Sequence, residues 1–85
     1  MSQHIVEEGR FKYVFGWDQP LMSFFLQVHD SKIVDPDNNP VHWLGATADT
    51  KMYEVEELCR AARIHGLEIP YDMRVTLYGE KDDGA

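Results

Sequence analysis

Four histidines and one cysteine are the side chains with the most evident chemical potential in this sequence. They are His4, His29, His42, His65 and Cys59. Imidazole is a common metal ligand and a proton carrier near neutral pH, and a thiolate binds zinc or acts as a nucleophile. No two of the histidines are three or four residues apart, so no ligand pair on one helix is predicted. Cys59 falls on the apolar stripe of a predicted helix, which indicates a core thiol. We predict no metal, no cofactor and no catalytic residue.

A two-histidine enzyme is the alternative that the histidines leave open. His29 and His42 fall on two neighbouring predicted strands, and pairing of those strands would allow their rings to face each other. Asp18 or Asp30 would then orient one of the rings. Two surface histidines on a strand face are the simpler interpretation, so the chain is predicted more readily as a non-enzyme.

The acidic segment Asp35–Pro40 resembles the opening of a calcium-binding loop. A loop of that kind needs a glycine where Pro40 stands and a bidentate glutamate where Ala46 stands. An exposed polar loop is therefore predicted. The sequence also lacks a Gly-x-Ser-x-Gly elbow, a glycine-rich phosphate loop and a closely spaced cysteine pair, so nucleophilic, nucleotide-binding and redox motifs are without support.

Alternating apolar residues predict a three-stranded antiparallel meander. Residues 11–17 are aromatic and β-branched, and place Phe11, Tyr13, Phe15 and Trp17 on one face. A turn at 18–20 leads to a second strand over 21–30, and a short third strand is expected at 41–45, after the polar loop.

An amphipathic helix is predicted to follow the sheet. It starts near Asp49 or Thr50 and ends at Gly66. Apolar residues at three- and four-residue spacing form its buried stripe, namely Met52, Val55, Leu58, Cys59 and Ala62. Residues 70–78 form a short last element in which helix is narrowly favoured over strand, because Pro70 and Asp72 suit a helix start. The predicted fold class is α+β.

Length and charge limit the organisation and the partners of the chain. Its 85 residues predict a single domain, residues 1–85, with frayed ends at about 1–9 and 79–85. The formal charge of −7 disfavours direct nucleic-acid binding. A single cysteine, the lack of a long apolar run and the acidic Glu7 and Glu8 near the start predict a cytoplasmic protein without a membrane segment or signal peptide.

The most unusual local feature is a turn that carries a tryptophan, Phe15-Gly-Trp-Asp-Gln-Pro-Leu21. Trp17 either closes one end of the core or anchors a partner, since tryptophan is enriched in binding hot spots. Phe25 lies on the minority face of the second strand and Trp43 on the third. The predicted binding residues are Trp17, Asp18, Phe25 and Trp43.

The Phe-Gly-Trp-Asp-x-Pro-Leu motif, followed by Phe24-Phe25, Gly66-Leu67 and Ile69-Pro70, resembles a group of small bacterial proteins for which no function is known. The resemblance covers the larger part of the chain. It implies a bacterial origin, and it carries over no catalytic residues.

The favoured function is a non-catalytic interaction domain that uses the aromatic face of its sheet for contact with another protein or for self-association. One alternative is an acidic regulator or nucleic-acid mimic that binds a basic protein. The other is the small enzyme built on His29 and His42. Salt separates the first two, because binding through charges weakens steeply with salt and an aromatic interface weakens little.

Overall fold

A computed structural model describes residues 2–33, 36–37 and 39–84, and it contains an antiparallel sheet with two helices packed on one side. The strands lie side by side in chain order, β1-β2-β3-β4. The elements are β1 His4–Glu8, β2 Phe11–Asp18, β3 Ser23–Asp30, β4 His42–Leu44, a 3₁₀ turn at Ala48–Thr50, α1 Val55–Ile64 and α2 Tyr71–Asp83. The predicted α+β class is confirmed.

The sheet has four strands in the described residues, so the predicted three-stranded sheet is wrong by one strand. The additional strand is β1, which lies where a frayed end was expected. It pairs antiparallel with β2 across a two-residue turn, Gly9-Arg10, and Gly9 adopts the positive φ of 59° that such turns need. Val6 packs against the core from this strand. The partly buried Val6 and the backbone pairing with β2 thus hold this edge strand against the core.

Strands β2 and β3 form the centre of the core, with the predicted alternation. Tyr13 pairs with Val28, and Trp17 pairs with Phe24, so these side chains share the face that the helices cover. Both strands are longer than the edge strands, at 8 residues each. The Tyr13 hydroxyl donates a hydrogen bond of 2.7 Å to the carbonyl of His65 at the end of α1. The sheet is thereby fixed to the helical layer at its centre.

Helix α1 begins at Val55 rather than at the predicted Asp49 or Thr50. The preceding segment is extended, because Met52 forms a β-bridge with Phe24 and its amide donates to the buried hydroxyl of Ser23 at 2.9 Å. Glu54 and Glu57 then form a reciprocal capping box that starts the helix. Val55, Leu58, Cys59 and Ala62 are buried as predicted.

At the end of α1, the predicted stop at Gly66 is observed. Gly66 has a φ of 97°. The amide of Leu67 returns to the carbonyl of Ala62 at 2.8 Å, which is the hydrogen bond of a Schellman cap. The chain can therefore leave the helix sharply and lead into the last element.

The last element is a helix, in agreement with the favoured prediction for residues 70–78, but it is longer than expected. It continues to Asp83, where a frayed end from residue 79 had been predicted. Leu77 is its buried residue, and Glu80 joins the two ends of the chain by accepting hydrogen bonds from Ser2 at 2.8 Å and pairing with His4 at 2.7 Å. None of the described helices has the length and apolar character needed to cross a membrane.

Candidate protein-binding surface

The face of the sheet that points away from the helices is called the open face below. Strand register places Ile5, Val14, Gln27 and Trp43 in one row across all four strands, because Ile5 pairs with Val14, Val14 with Gln27 and Gln27 with Trp43. Phe25 lies on the same face of β3, two residues before Gln27. These five residues form the centre of the open face.

The open face combines buried and exposed apolar side chains. Ile5 and Trp43 are 57% and 56% exposed, whereas Val14 and Phe25 are buried without belonging to the cluster that the helices cover. A large ring that stands in solvent beside an already desolvated apolar floor is typical of binding hot spots. A partner that covered this face would remove the exposed apolar surface of Trp43 and Ile5 from water.

A small cleft of about 80 Å³ lies beside the Trp43 ring. Its walls include Asp18, Phe25 and Trp43, three of the four predicted binding residues, together with Gln3 and Gln27. An apolar floor with a carboxylate and two amides at its rim suits a protein side chain that has an apolar stem and a polar tip. The predicted binding residues thus include three that line this cleft, whereas Gln3, just before β1, was not among them.

Trp17, the fourth predicted binding residue, does not join the other three. It is only 2% exposed, on the helix-covered face, where its ring meets Phe24 edge-on with ring centroids 4.9 Å apart. Its indole N–H donates to Gln19 at 2.7 Å, and the ammonium of Lys81 lies over the ring. The core interpretation of Trp17 is the one that the structure supports, since a partner cannot contact this ring while the fold is intact.

No model of a known protein family, no curated protein and no solved structure matches this chain.

His29 and His42 do not form the pair that the enzyme alternative needs. Val28 pairs with His42, so His42 lies on the helix-covered side of the sheet, whereas His29 lies on the open face opposite Lys12. The expectation that their rings face each other is wrong, because adjacent residues of a strand point to opposite faces. His42 instead contacts His65, with ring centroids 4.5 Å apart. In the described part of the chain, no three His, Cys, Asp or Glu side chains are grouped to hold a metal ion.

The histidine contacts predict a stability that declines in acid. Burial, and then the neighbouring His42, lower the pKa of His65, and burial followed by Lys12 lowers the pKa of His29. The unfolded chain takes up protons near the ordinary histidine pKa of about 6.5, whereas the folded state keeps these rings neutral to lower pH. This contribution to stability is therefore complete above that pH and is lost as the pH falls below it.

We expect the midpoint temperature of thermal unfolding to be lower at about pH 5.5 than at about pH 7.5, because the histidine contribution to stability is lost in that window. We expect a smaller fall for His42→Asn, because the charge that His65 must avoid is then absent. Circular dichroism melts of both proteins at the two pH values measure this. Equal pH dependence in the two proteins would show that the histidine contact does not contribute.

A cleft of about 410 Å³ lies at the end of the sheet near the β1–β2 turn. Arg10 and Asp30 form an ion pair of 3.3 Å in its wall, and Lys12 lines it together with Glu7 and His29. The acidic and basic side chains that line this cleft are therefore equal in number, and the cleft has no formal net charge. Asp35 and Asn38 of the predicted acidic loop lie outside the described residues.

Cys59 is buried in the helical layer, as its place on the α1 stripe predicted. Burial is the main cause of a raised pKa for its thiol. A protonated thiol is a poor nucleophile and a poor metal ligand, so the geometry favours a packing role for this residue.

Sequence reasoning missed Ile5, Val14 and Gln27 as members of the open face. Ile5 was missed because β1 was not predicted. The available signal was Gly9-Arg10 between Glu8 and Phe11, a two-residue turn that starts on glycine and joins two segments able to pair. Val14 and Gln27 are on the predicted minority faces of their strands, but without β1 nothing placed them in a continuous row with Trp43.

Proposed function

We propose that this chain is a non-catalytic interaction domain that binds another protein through the centre of its open face. The observation that carries the proposal is the position of Trp43. It is 56% exposed on a sheet face that no described helix covers, and it lies in a row with Ile5 and Val14 and next to Phe25. The predicted anchors Phe25 and Trp43 are retained, with Asp18 at the rim, and Ile5 and Val14 replace Trp17.

The charges of the open face support apolar contact rather than attraction between charges. The polar row next to the centre contains Glu7, Lys12 and His29, so an acid and a base stand beside each other. Most of the charge of −7 therefore lies elsewhere on the molecule. A partner of this face does not need a strongly basic surface, in contrast to the partner of an acidic regulator or nucleic-acid mimic.

The cellular location and the origin of the protein are also part of the proposal. A free, buried cysteine suits a reducing compartment, so we propose a cytoplasmic location, and the resemblance to small bacterial proteins supports the proposal of a bacterial origin. A net charge of −7 opposes association with phosphate backbones, so nucleic acid is not the proposed ligand. The whole of residues 1–85 is proposed to act as one domain.

A comparison of captured proteins tests the proposal. The wild-type chain and the variant Trp43→Ser are used as bait in a bacterial lysate, with Ile64→Ser as the matched control, because Ile64 is 75% exposed at the end of α1, away from the open face. We expect a defined partner that Ile64→Ser retains and that Trp43→Ser binds about 30-fold or more weakly, which corresponds to a hot-spot loss of about 2 kcal/mol or more.

Salt then separates the proposal from its main alternative. Retention of the partner from low to high salt is expected for an apolar interface. A partner that is lost at high salt and is unaffected by Trp43→Ser would instead favour the acidic-regulator alternative. Circular dichroism of each variant checks that the fold is intact.

A further inference from the structure

Helix α2 exposes apolar residues in a regular stripe. Tyr71, Val75 and Tyr78 are 79%, 52% and 42% exposed and stand at positions i, i+4 and i+7 of one helix face. They are called the α2 stripe below. Leu77 is the residue of this helix that is fully buried. A helix of a small acidic chain that turns most of its large apolar side chains to solvent has an unpartnered face.

A groove of about 320 Å³ runs between the α2 stripe and α1. All three stripe residues line it, and Val55 and Cys59 of α1 contribute to the opposite wall. Glu56 and Arg74 complete the lining, and Glu56 accepts a hydrogen bond from the Tyr78 hydroxyl. The groove lies on the helical side of the molecule, so it is separate from the open face.

We propose that the α2 stripe and its groove bind a second copy of this chain, with the two α2 helices antiparallel across a two-fold axis near Val75. The spacing of the stripe is the first support. Tyr71 and Tyr78 lie nearly symmetrically on either side of Val75. A two-fold axis near Val75 therefore places Tyr71 of one copy against Tyr78 of the other and brings the two Val75 side chains together. A closed two-fold dimer requires an interface of this kind, in which both copies use the same surface patch.

Charge is the second support. Each copy carries a net charge of −7, which opposes association over most of the surface. The residues lining the groove include one acid, Glu56, and one base, Arg74. Arg74 is held in place by a hydrogen bond of 3.0 Å to the carbonyl of Ile69 and a contact of 3.6 Å with Glu68. The lining of the groove therefore carries no formal net charge, so the repulsion between two copies is weaker there than over the rest of the surface.

The available area predicts a weak dimer. A fully exposed aromatic side chain presents roughly 150–250 Å², so the exposed parts of the α2 stripe amount to on the order of 350 Å² of surface in each copy. Stable interfaces bury about 800 Å² on each side. We therefore expect dissociation in the micromolar to millimolar range, and tighter association when salt screens the net charge. The dimer leaves both open faces directed outwards, so it does not depend on the proposed function.

Sedimentation equilibrium of the full chain between about 1 µM and about 1 mM tests the dimer, since mass action populates it at high concentration. We expect a monomer–dimer equilibrium that the double variant Tyr71→Ser/Val75→Ser weakens by about tenfold or more. The control variants Ile64→Ser and Trp43→Ser should leave it unchanged. A wild-type chain that remains monomeric at the highest concentration overturns the proposal. A dimer that Trp43→Ser abolishes and the double variant leaves intact also overturns it, because self-association then uses the open face.

Cross-linking tests the geometry and does not rely on weakened association. In a Cys59→Ala background, Val75→Cys is expected to form a disulfide-linked dimer on mild oxidation, because the two Val75 positions lie next to the two-fold axis. Ile64→Cys, at an even more exposed position, is the control and should remain monomeric. Equal cross-linking of the two variants would reflect random collision and would contradict the antiparallel arrangement.

Discussion

Replacement of Gly45 by alanine is expected to abolish most of the folding stability. Gly45 has a φ of 97°, and a β-carbon built on it would overlap the carbonyl oxygen of Phe24 and lie 2.9 Å from the α-carbon of Phe25. The left-handed conformation alone costs an L-residue about 1–2 kcal/mol, and overlap with backbone adds about 1–3 kcal/mol. Both atoms belong to the central strand β3, so they cannot move aside as a flexible side chain would.

Gly79→Ala is the matched control for Gly45→Ala. Gly79 lies within α2, its φ is ordinary, and a β-carbon there would meet nothing within 4 Å. The same chemical change should therefore stabilise the protein by about 0.5–1 kcal/mol, because glycine is a poor helix residue. Urea unfolding followed by circular dichroism measures both. Similar midpoints for the two variants would contradict the close approach of Gly45 to β3.

Truncation of Leu77 is the second substitution for which a large loss is expected. Leu77 is fully buried and is the residue through which α2 enters the core, among Tyr13, Phe15 and Ile69 in the same cluster. Leu77→Ala should cost about 2–5 kcal/mol, the usual range for a buried leucine. The rest of α2 cannot compensate, because its other large apolar residues point outwards or are only partly buried.

Val75→Ala is the control for Leu77→Ala in the same helix. Val75 is 52% exposed, so its truncation should change the stability of the monomer by about 0.5 kcal/mol or less. Hydrogen exchange adds a local measurement, since undocking of α2 should remove protection from its amides before those of β2 and β3. A loss for Leu77→Ala no larger than that for Val75→Ala would show that α2 is not anchored in this way.

Period-two and period-three-to-four patterns were sufficient to predict β2, β3, the buried stripe of α1 and its stop at Gly66. In these segments the apolar spacing and the final element agree, because one face of each is fully buried. The start of α1 could not be found in this way. Asp49 and Thr50 are good caps, but pairing of Met52 with Phe24 across 28 residues holds the chain extended beyond them. A long-range backbone contact of that kind leaves no local pattern in the sequence.

For the candidate site, the alternation of residues along a strand predicted which face of the strand a side chain occupies. It did not predict whether that side chain is covered by another element. Alternation placed Phe25 on the minority face of β3, and the pairing of Gln27 with Trp43 then brings Trp43 to the same face. It could not show that Trp17 is covered, since that depends on where α2 packs. Lys81 and Gln19 reach the Trp17 ring from distant or turn positions, and neither contact has a sequence signature.

The most direct test of the open face is site-specific photo-cross-linking. A photoreactive phenylalanine replaces Trp43 in one protein and Ile64 in another, so that two exposed apolar positions on different sides of the molecule are compared. We expect a defined protein adduct at position 43 that excess unmodified chain suppresses, and no such adduct at position 64. Equal, unsuppressed labelling at the two positions would contradict the proposal that the open face is a protein-binding surface.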